Sequence, residues 1–224
     1  MTERPILFSG PMVRAILDGR KTHTRRVVKP QPSKDINFIV HAHSGMFLSY
    51  IKDKYGQEDE LFCPYGTPGD RLWVRETWCH KADDGAMVYN ADGNLDSSCV
   101  HFAADGEDVR CVDGDGFQDW NKDGTEKSPW KPSIHMPRWA SRITLEITGV
   151  RVERVQDIGE DDARAEGVTA AEGAIEGLSG HFYLPCLPHR MGFMRLWDSI
   201  NAKRGHGWDL NSWVWVVEFR RVEP

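Results

Sequence analysis

Alternation of apolar and polar residues predicts a strand over residues 71–78, RLWVRETW. Leu72, Val74 and Trp78 project to one face of this strand, and Glu76 shares that face with them. The pattern therefore places a carboxylate among apolar neighbours.

Two further stretches have the composition of strands. Residues 142–148, RITLEIT, alternate cleanly, and Gly149 then shifts the phase so that Val150 and Val152 face inward. A bulge at this glycine would bend the strand as a small barrel requires. Residues 213–222, WVWVVEFRRV, are apolar on both faces over most of their length, which predicts a strand that is central or covered on both sides.

Helical spacing predicts three short helices. In the first, Ser9 caps the N-terminus and Gly19 ends the helix. A second is predicted near EDDARAE, ended by Gly167, and a third near GFMRLWDSI. The apolar positions of the first and third helices are Met12, Val13, Ile16 and Leu17, and Phe193, Leu196, Trp197 and Ile200.

These elements predict an α+β fold: a small β-barrel with short flanking helices, forming one domain over residues 1–224. Residues 83–130 are rich in Asp and Gly and show little periodicity, so they are interpreted as a loop insertion. Residues 167–180 are glycine-rich and are interpreted as a loop.

The composition is that of a globular protein, with 40% hydrophobic and 28% charged residues. No apolar run approaches the roughly 18 residues of a membrane-spanning helix, which predicts a cytoplasmic protein without membrane contact. The five cysteines are odd in number and form no CxxC pair. We therefore expect reduced thiols and no zinc finger. No other metal and no cofactor are predicted.

The charge is unevenly distributed along a chain whose formal net charge is -6. Seven basic residues against Asp18 lie between Arg14 and Lys34, whereas residues 83–126 hold twelve acidic residues against two basic ones. The first segment attracts anions and the second repels them.

The basic residues concentrate in residues 19–26, GRKTHTRR, a predicted loop just past the end of a helix, where carbonyl ends favour cations. Lys21 and Thr24 are three residues apart, so in a helical or turn conformation their side chains share a face and the amine can take the hydroxyl proton. Neighbouring cations and burial would lower the pKa of the amine. These cations are Arg20, Arg25 and Arg26.

Two other stretches carry candidate chemistry. Burial among apolar residues would raise the pKa of Glu76, as suits a proton donor, and opposed shifts on Lys21 and Glu76 would make them a base and an acid. In WKPSIHMPRW, His135 and Arg138 are flanked by tryptophans, a mixture that can stack a base and hold a phosphate. The alternative is that both tryptophans only seal the end of the barrel.

With these motifs in place, the chain resembles the ASCH family, a branch of the PUA-like small barrels. The pattern G-x-K-x-x-x-x-R is matched within residues 19–26, and a PGD turn at residues 68–70 precedes the strand that carries Glu76. The closer pattern G-x-K-T-x-T-x-R of the bacterial N4-acetylcytidine amidohydrolases is also matched. The matching residues are Gly19, Lys21, Thr22, Thr24 and Arg26.

The resemblance implies roles for these residues. Lys21 would be the proton acceptor, Thr24 the nucleophile and Glu76 the proton donor in hydrolysis of the acyl amide of an N4-acylated cytosine nucleoside. The partner would be a nucleoside or a short RNA. The acidic insertion and residues 167–192 have no counterpart in the short amidohydrolases. The predicted substrate-binding residues are Arg20, Thr22, Arg26, Arg75, His135 and Arg138.

Other functions fit the same residues. The basic loop is also typical of a solvated or phosphate-binding segment, and Glu76 can simply pair with an arginine. A non-catalytic reader of RNA or of a modified base, a ribonuclease, and a phage accessory factor that binds a protein through the acidic insertion are the alternatives. The barrel also resembles that of phage and prophage accessory proteins of similar length.

Overall fold

A computed structural model describes residues 1–32, 38–41, 48–52, 58–80, 100–106, 128, 130–170 and 188–222. The described part contains three α-helices and ten strands, joined by loops and short 3-10 turns. The elements are β1 (Glu3–Leu7), α1 (Gly10–Leu17), β2 (His23–Val27), β3 (Phe38–His41), β4 (Leu48–Lys52), β5 (Glu58–Phe62), β6 (Arg71–Arg75), β7 (Trp78–His80), β8 (Val100–Phe102), β9 (Thr144–Arg154), α2 (Glu160–Ala165), α3 (Pro188–Asn201) and β10 (Trp213–Val222).

The fold is of the mixed α+β class, as predicted. One sheet has the strand order β1-β6-β9-β10-β2, a second has the order β3-β4-β5, and β7 pairs with β8. Among the described strands the five-stranded sheet is not closed into a barrel, since β1 and β2 are its edges. None of the described helices has both the length and the apolar character needed to span a membrane.

The chain forms two compact units, which are described separately. The first unit comprises residues 1–2, 15–71 and 146–221, and the second comprises residues 3–14, 72–145 and 222–224.

In the first unit, an apolar cluster lies between α2, α3 and the sheet strands β2 and β10. Glu160 at the start of α2 caps α3: its carboxylate accepts hydrogen bonds from the backbone N–H groups of His189 and Arg190, each at 2.9 Å. This bond pattern fixes α3 beside α2. The buried members of the cluster are Val155, Ile158, Ala163, Phe193, Trp197, Trp208, Val214 and Val216.

In the second unit, a smaller cluster of Trp78, Met136 and Ala140 packs against Val100 and Phe102 of β8. Residues 100–106, which the sequence pattern assigns to a loop insertion, form β8 and a 3-10 turn. Pairing of β8 with β7 gives these residues an order that the sequence periodicity does not indicate. The remainder of residues 83–127 and residues 171–180 lie outside the described part of the chain.

For residues 71–78 the structure confirms the predicted buried face but shows a shorter strand than predicted. Leu72, Val74, Glu76 and Trp78 are all buried. The strand nevertheless breaks after Arg75, because the Glu76 backbone N–H points at the Met136 sulfur, 3.3 Å away, and the chain then turns to pair with β8.

The other sequence patterns agree closely with the structure. In β9 the buried positions shift phase at Gly149, as predicted. β10 lies between β9 and β2, as its two apolar faces predict. Gly19 ends α1 with φ +71°, and Gly167 follows α2 with φ +78°. Cys79 is buried and Cys63 is half-buried.

Candidate functional site

The GRKTHTRR motif is a strand in its second half, and the prediction of a loop throughout is wrong. β2 begins at His23 and pairs antiparallel with β10, with Thr24 opposite Val217 and Arg25 opposite Val216. The loop prediction is wrong because the backbone N–H and C=O groups along one edge of β10 need hydrogen-bond partners, and the motif supplies them by pairing as a strand. Lys21, just before β2, forms an isolated antiparallel bridge with Glu166.

Backbone hydrogen bonds fix the start of the motif on three sides. The N–H groups of Arg20 and Lys21 both donate to the Ala15 carbonyl of α1 at 2.9 Å. The Thr22 N–H donates to the Ala165 carbonyl of α2 at 2.8 Å, and the Thr22 carbonyl accepts from the Phe219 N–H of β10 at 2.8 Å. The motif is thus held between α1, α2 and β10.

The Lys21 amine lies in a fully enclosed polar site. Its Nζ atom is 2.7 Å from the Glu166 carboxylate, 2.9 Å from the Glu166 carbonyl and 2.7 Å from the His23 carbonyl. The Lys21 side chain has no exposed surface, and that of Glu166 is 4% exposed. Three acceptors match the three N–H donors of an ammonium group, so this geometry suits the charged amine.

Arg25 joins the same cluster and is also fully buried at its side chain. Its guanidinium donates to Glu166 at 3.2 Å, to Glu153 at 2.6 and 2.9 Å, and to Asp162 at 2.6 Å. One carboxylate, that of Glu166, therefore binds both Lys21 and Arg25. We call Lys21, Arg25 and Glu166 the buried ion cluster.

Next to the buried ion cluster lies a partly exposed rim, which consists of His23, Arg151, Glu153, Asp162 and Glu218. Arg151 donates to Glu153, Asp162 and Glu218, and the His23 Nε2 atom lies 3.6 Å from Glu218. Cluster and rim together contain three basic side chains (Lys21, Arg25 and Arg151) and four carboxylates (Glu153, Asp162, Glu166 and Glu218), a formal charge of -1 with neutral histidine. The rim therefore favours a ligand rich in hydrogen-bond donors.

Burial and neighbouring charges shift the pKa values of Lys21 and His23. Burial lowers the pKa of Lys21 below its ordinary value, Glu166 opposes the shift, and Arg26 and Arg25 add to it. The predicted direction is confirmed. Burial also lowers the pKa of His23, while Glu218 and Asp162 raise it and Arg151 lowers it. A lowered pKa keeps the His23 ring neutral near pH 7.

We expect the His23 ring to titrate below the ordinary histidine value of about 6.5, and the Glu218→Gln substitution to lower its pKa further, because the Glu218 carboxylate raises it. Histidine NMR signals assigned with His23→Gln will measure both values. The folded pKa lies below the unfolded one, so stability falls as pH drops from about 6.5 toward the folded pKa. Glu146→Gln, in an exposed pair with Arg220, is the control. A pKa that rises in Glu218→Gln contradicts the expectation.

Thr24 and Arg26 differ from Arg25 in the face of β2 that they occupy. Strand alternation puts Thr24 and Arg26 on the face of β2 opposite His23 and Arg25. Thr24 is buried. The turn conformation that would bring Thr24 to the same face as Lys21 is not adopted, because β-pairing extends the chain there.

The two remaining arginines of the motif have different surroundings. Burial lowers the pKa of Arg26, with Tyr65 and Glu166 opposing the shift and Arg204 adding to it. Arg20 is half-exposed, pairs with Asp18 at 2.8 Å and donates to the Gly167 carbonyl at 3.2 Å. Arg20 therefore contacts the segment that follows α2.

Glu76 belongs to the second unit, whereas Lys21 and Thr24 belong to the first. Arg142 donates to both Glu76 carboxylate oxygens, at 3.0 and 3.1 Å, and to Asp105. Burial raises the pKa of Glu76 and the Arg142 guanidinium opposes the shift. The predicted direction is confirmed, and the alternative that Glu76 pairs with an arginine is confirmed too. Joint action of Lys21, Thr24 and Glu76 stays a prediction.

The remaining predicted binding residues also lie in the second unit. Arg75 donates to the Ile134 carbonyl and lies over the Trp73 ring, 5.3 Å from its centroid. His135 is exposed. Arg138 forms a bidentate pair with Glu3 at 2.9 Å, so its guanidinium is already engaged by a carboxylate.

Trp139 is partly packed and partly exposed, so it agrees both with a packing role and with a surface on which a base could stack. It makes edge contacts with Trp78 and His80, at centroid distances of 5.8 and 5.7 Å, and 43% of it remains exposed. The ring therefore packs against the unit and presents surface to solvent.

Sequence reasoning missed the residues that organise the motif. Glu166, Asp162, Glu153 and Glu218 are distant from the motif in sequence, and only the pairing of α2 and β10 with it brings them close. The available signal was the carboxylate density of EDDARAE directly before Gly167. Within the described ranges, no three His, Cys, Asp or Glu side chains form a group able to hold a metal ion.

Comparison of the chain with models of known protein families, with characterised proteins and with solved structures finds no match.

Proposed function

We propose that the chain is an ASCH-type, PUA-like protein that binds a nucleobase-containing ligand beside the GRKTHTRR motif and hydrolyses the acyl amide of an N4-acylated cytosine nucleoside. The matched pattern G-x-K-T-x-T-x-R supports the substrate class. A free nucleoside and a nucleoside within a short RNA present the same acyl amide.

One observation carries the proposal: two motif cations, Lys21 and Arg25, are entirely buried and share the carboxylate of Glu166. Removing charges from water is costly, and a hydrophobic replacement of similar volume is often at least as stable. We infer that this cluster serves to hold the motif in one geometry. Groups with shifted pKa values next to such a support are typical of functional sites.

The rim beside the cluster suits the edge of a cytosine. Glu218 and Asp162 are about one-third exposed, and their carboxylates can accept a hydrogen bond from the N4–H group of the acylated base. The half-buried Thr22 hydroxyl and the His23 ring can meet the acyl group itself.

A second candidate function, non-catalytic recognition of RNA or of a modified base, is favoured by the Lys21 amine. Its three N–H donors are directed at three acceptors, so no lone pair is available to take a proton from Thr24. In this case the ligand binds without turnover, and its affinity falls with salt if phosphates take part.

The proposal is tested by incubating the purified chain with N4-acetylcytidine and separating cytidine from the substrate by chromatography. We expect cytidine and acetate in equal amounts, with undiminished rates in Arg220→Gln, a change in an exposed pair. Ligand binding is measured in parallel by calorimetry at two salt concentrations. Binding without product supports the reader function, and the absence of both binding and product refutes the proposed substrate.

A further inference from the structure

A hydroxyl, an imidazole and a carboxylate lie in series at the rim of the buried ion cluster. The Thr22 Oγ1 atom is 2.9 Å from His23 Nδ1, and His23 Nε2 is 3.6 Å from Glu218 Oε1. Each ring nitrogen of His23 thus faces a different oxygen. The first distance is that of a hydrogen bond and the second that of an ion-pair contact, so the groups follow the order of a hydroxyl, a base and a carboxylate.

The surrounding backbone holds these three groups in place. The Thr22 N–H and carbonyl are bonded to α2 and β10 respectively. The His23 carbonyl accepts from the Lys21 amine, and His23 is opposite Glu218 in the strand register. The buried ion cluster therefore supports the backbone on both sides of the hydroxyl and the ring.

Glu218 is positioned by contacts of its own. Arg151 donates to its Oε1 atom. Gly149 lies so close that a Cβ atom there would be 2.7 Å from Glu218 Oε2. The glycine that shifts the phase of β9 thus also leaves room for this carboxylate.

The three groups remain open to a ligand. The side chains of His23 and Glu218 are 20% and 35% exposed, whereas that of Lys21 is not exposed. Thr22 is half-buried, whereas Thr24 is buried on the other face of β2. Thr22 is therefore more exposed to a substrate carbonyl than Thr24 is.

We propose that Thr22 is an acyl-accepting nucleophile with His23 as its general base and Glu218 as a positioning residue, acting on an acyl amide or a related ester. This inference adds catalytic residues to the proposed function, and the identity of the natural substrate rests on that function. It assigns the hydroxyl chemistry to Thr22 and His23 in place of Thr24 and Lys21.

The proposed mechanism requires the His23 tautomer that carries its hydrogen on Nε2. A hydrogen on Nε2 faces the Glu218 carboxylate, which leaves the lone pair of Nδ1 directed at the Thr22 hydroxyl. The neutral ring can then accept the hydroxyl proton. Its carboxylate neighbours, Glu218 and Asp162, stabilise the imidazolium that forms.

The reaction balances with water as the only co-reactant. Thr22 Oγ1 forms a bond to the acyl carbon as its proton passes to His23 Nδ1, and the acyl C–N bond breaks as the leaving amine takes that proton. Water then attacks the Thr22 ester and gives a proton to His23. The ester C–O bond breaks, Thr22 recovers the proton, and the carboxylic acid departs.

The test uses the full chain with two substrates, p-nitrophenyl acetate and N4-acetylcytidine. Tandem mass spectrometry of the rapidly quenched protein locates the acetyl group, and His23 between the two threonines separates their fragment ions. We expect one acetyl group on Thr22. We also expect kcat/KM to fall about 100-fold in Thr22→Val and His23→Gln, with Thr22→Ser active. Thr77→Val, an exposed site in the second unit, is the matched control.

Glu218→Gln gives a readout that a purely structural role would not change. The limb of the pH–rate profile that reports His23 should move to lower pH, because the Glu218 carboxylate raises the pKa of that ring. An unmoved limb overturns the positioning role. Circular dichroism of each variant checks that its fold is retained.

The outcomes separate this inference from the proposed function. Acetylation of Thr22 by the ester with N4-acetylcytidine unreacted supports the inference and refutes the proposed substrate. Hydrolysis of N4-acetylcytidine with the acetyl group on Thr24, or with Thr22→Val fully active, overturns the inference and leaves the function standing. No reaction with either substrate overturns both.

Discussion

Glu166→Gln is expected to lower the free energy of unfolding by about 3 kcal/mol, because removing one partner of a buried ion pair leaves the other charge uncompensated. The Lys21 ammonium loses its carboxylate partner at 2.7 Å, and Arg25 loses one of its three. Urea denaturation followed by tryptophan fluorescence measures the change, since Trp197 and Trp208 lie in the same unit.

The matched control for this substitution is Glu146→Gln, which breaks an exposed pair with Arg220 in the same unit. We expect it to change the free energy of unfolding by less than about 1 kcal/mol. The double variant Lys21→Met with Glu166→Gln should recover part of the loss, since it removes the uncompensated charge. Equal effects of Glu166→Gln and Glu146→Gln contradict the assigned role of the cluster.

Gly167→Ala is expected to destabilise the fold by about 3 kcal/mol, from a left-handed backbone and a close contact together. Gly167 has φ +78°, and a Cβ atom there would lie 2.8 Å from the Lys21 Cβ and 2.9 Å from the Ala15 Cβ. These neighbours are the stem of Lys21 and the body of α1, so neither can move without disturbing the motif. Thermal and urea unfolding measure the loss.

Gly205→Ala isolates the contribution of the backbone. Gly205 has φ +77°, and nothing lies within 4 Å of the position its Cβ would take. We expect its substitution to destabilise by only about 1 kcal/mol. The difference of about 2 kcal/mol between the two variants then measures the contact with Lys21 and Ala15. Equal losses would show that this close approach is not important for stability.

Local sequence patterns predicted those features that depend on one local requirement, such as a buried strand face or a left-handed residue at a helix end. Alternation placed the buried face of residues 71–78 correctly, and the phase shift at Gly149 appears in the burial of β9. Gly19 and Gly167 were recognised as helix ends because a left-handed residue is needed there. Each of these features depends on residues close in sequence.

Predictions that depend on distant partners were less complete. The GRKTHTRR motif was expected to be a loop, yet half of it is β2, because β10, nearly 200 residues later, offers an unpaired edge. Glu76 is predicted to lie among apolar side chains, with pairing to an unspecified arginine as the alternative, and the structure identifies that arginine as Arg142. The pKa directions of Lys21 and Glu76 were nevertheless predictable, since burial is their largest cause.

Local sequence patterns are sufficient to predict the α+β class, the faces of the strands, the ends of α1 and α2 and the concentration of basic residues in one short motif. The contacts between distant elements establish which carboxylates neutralise that motif, and that Thr22 rather than Thr24 lies beside an imidazole. The reason is physical: alternation and capping are set by neighbouring residues, whereas the partner of a buried charge is whichever group the packing of α2 and β10 brings within about 3 Å.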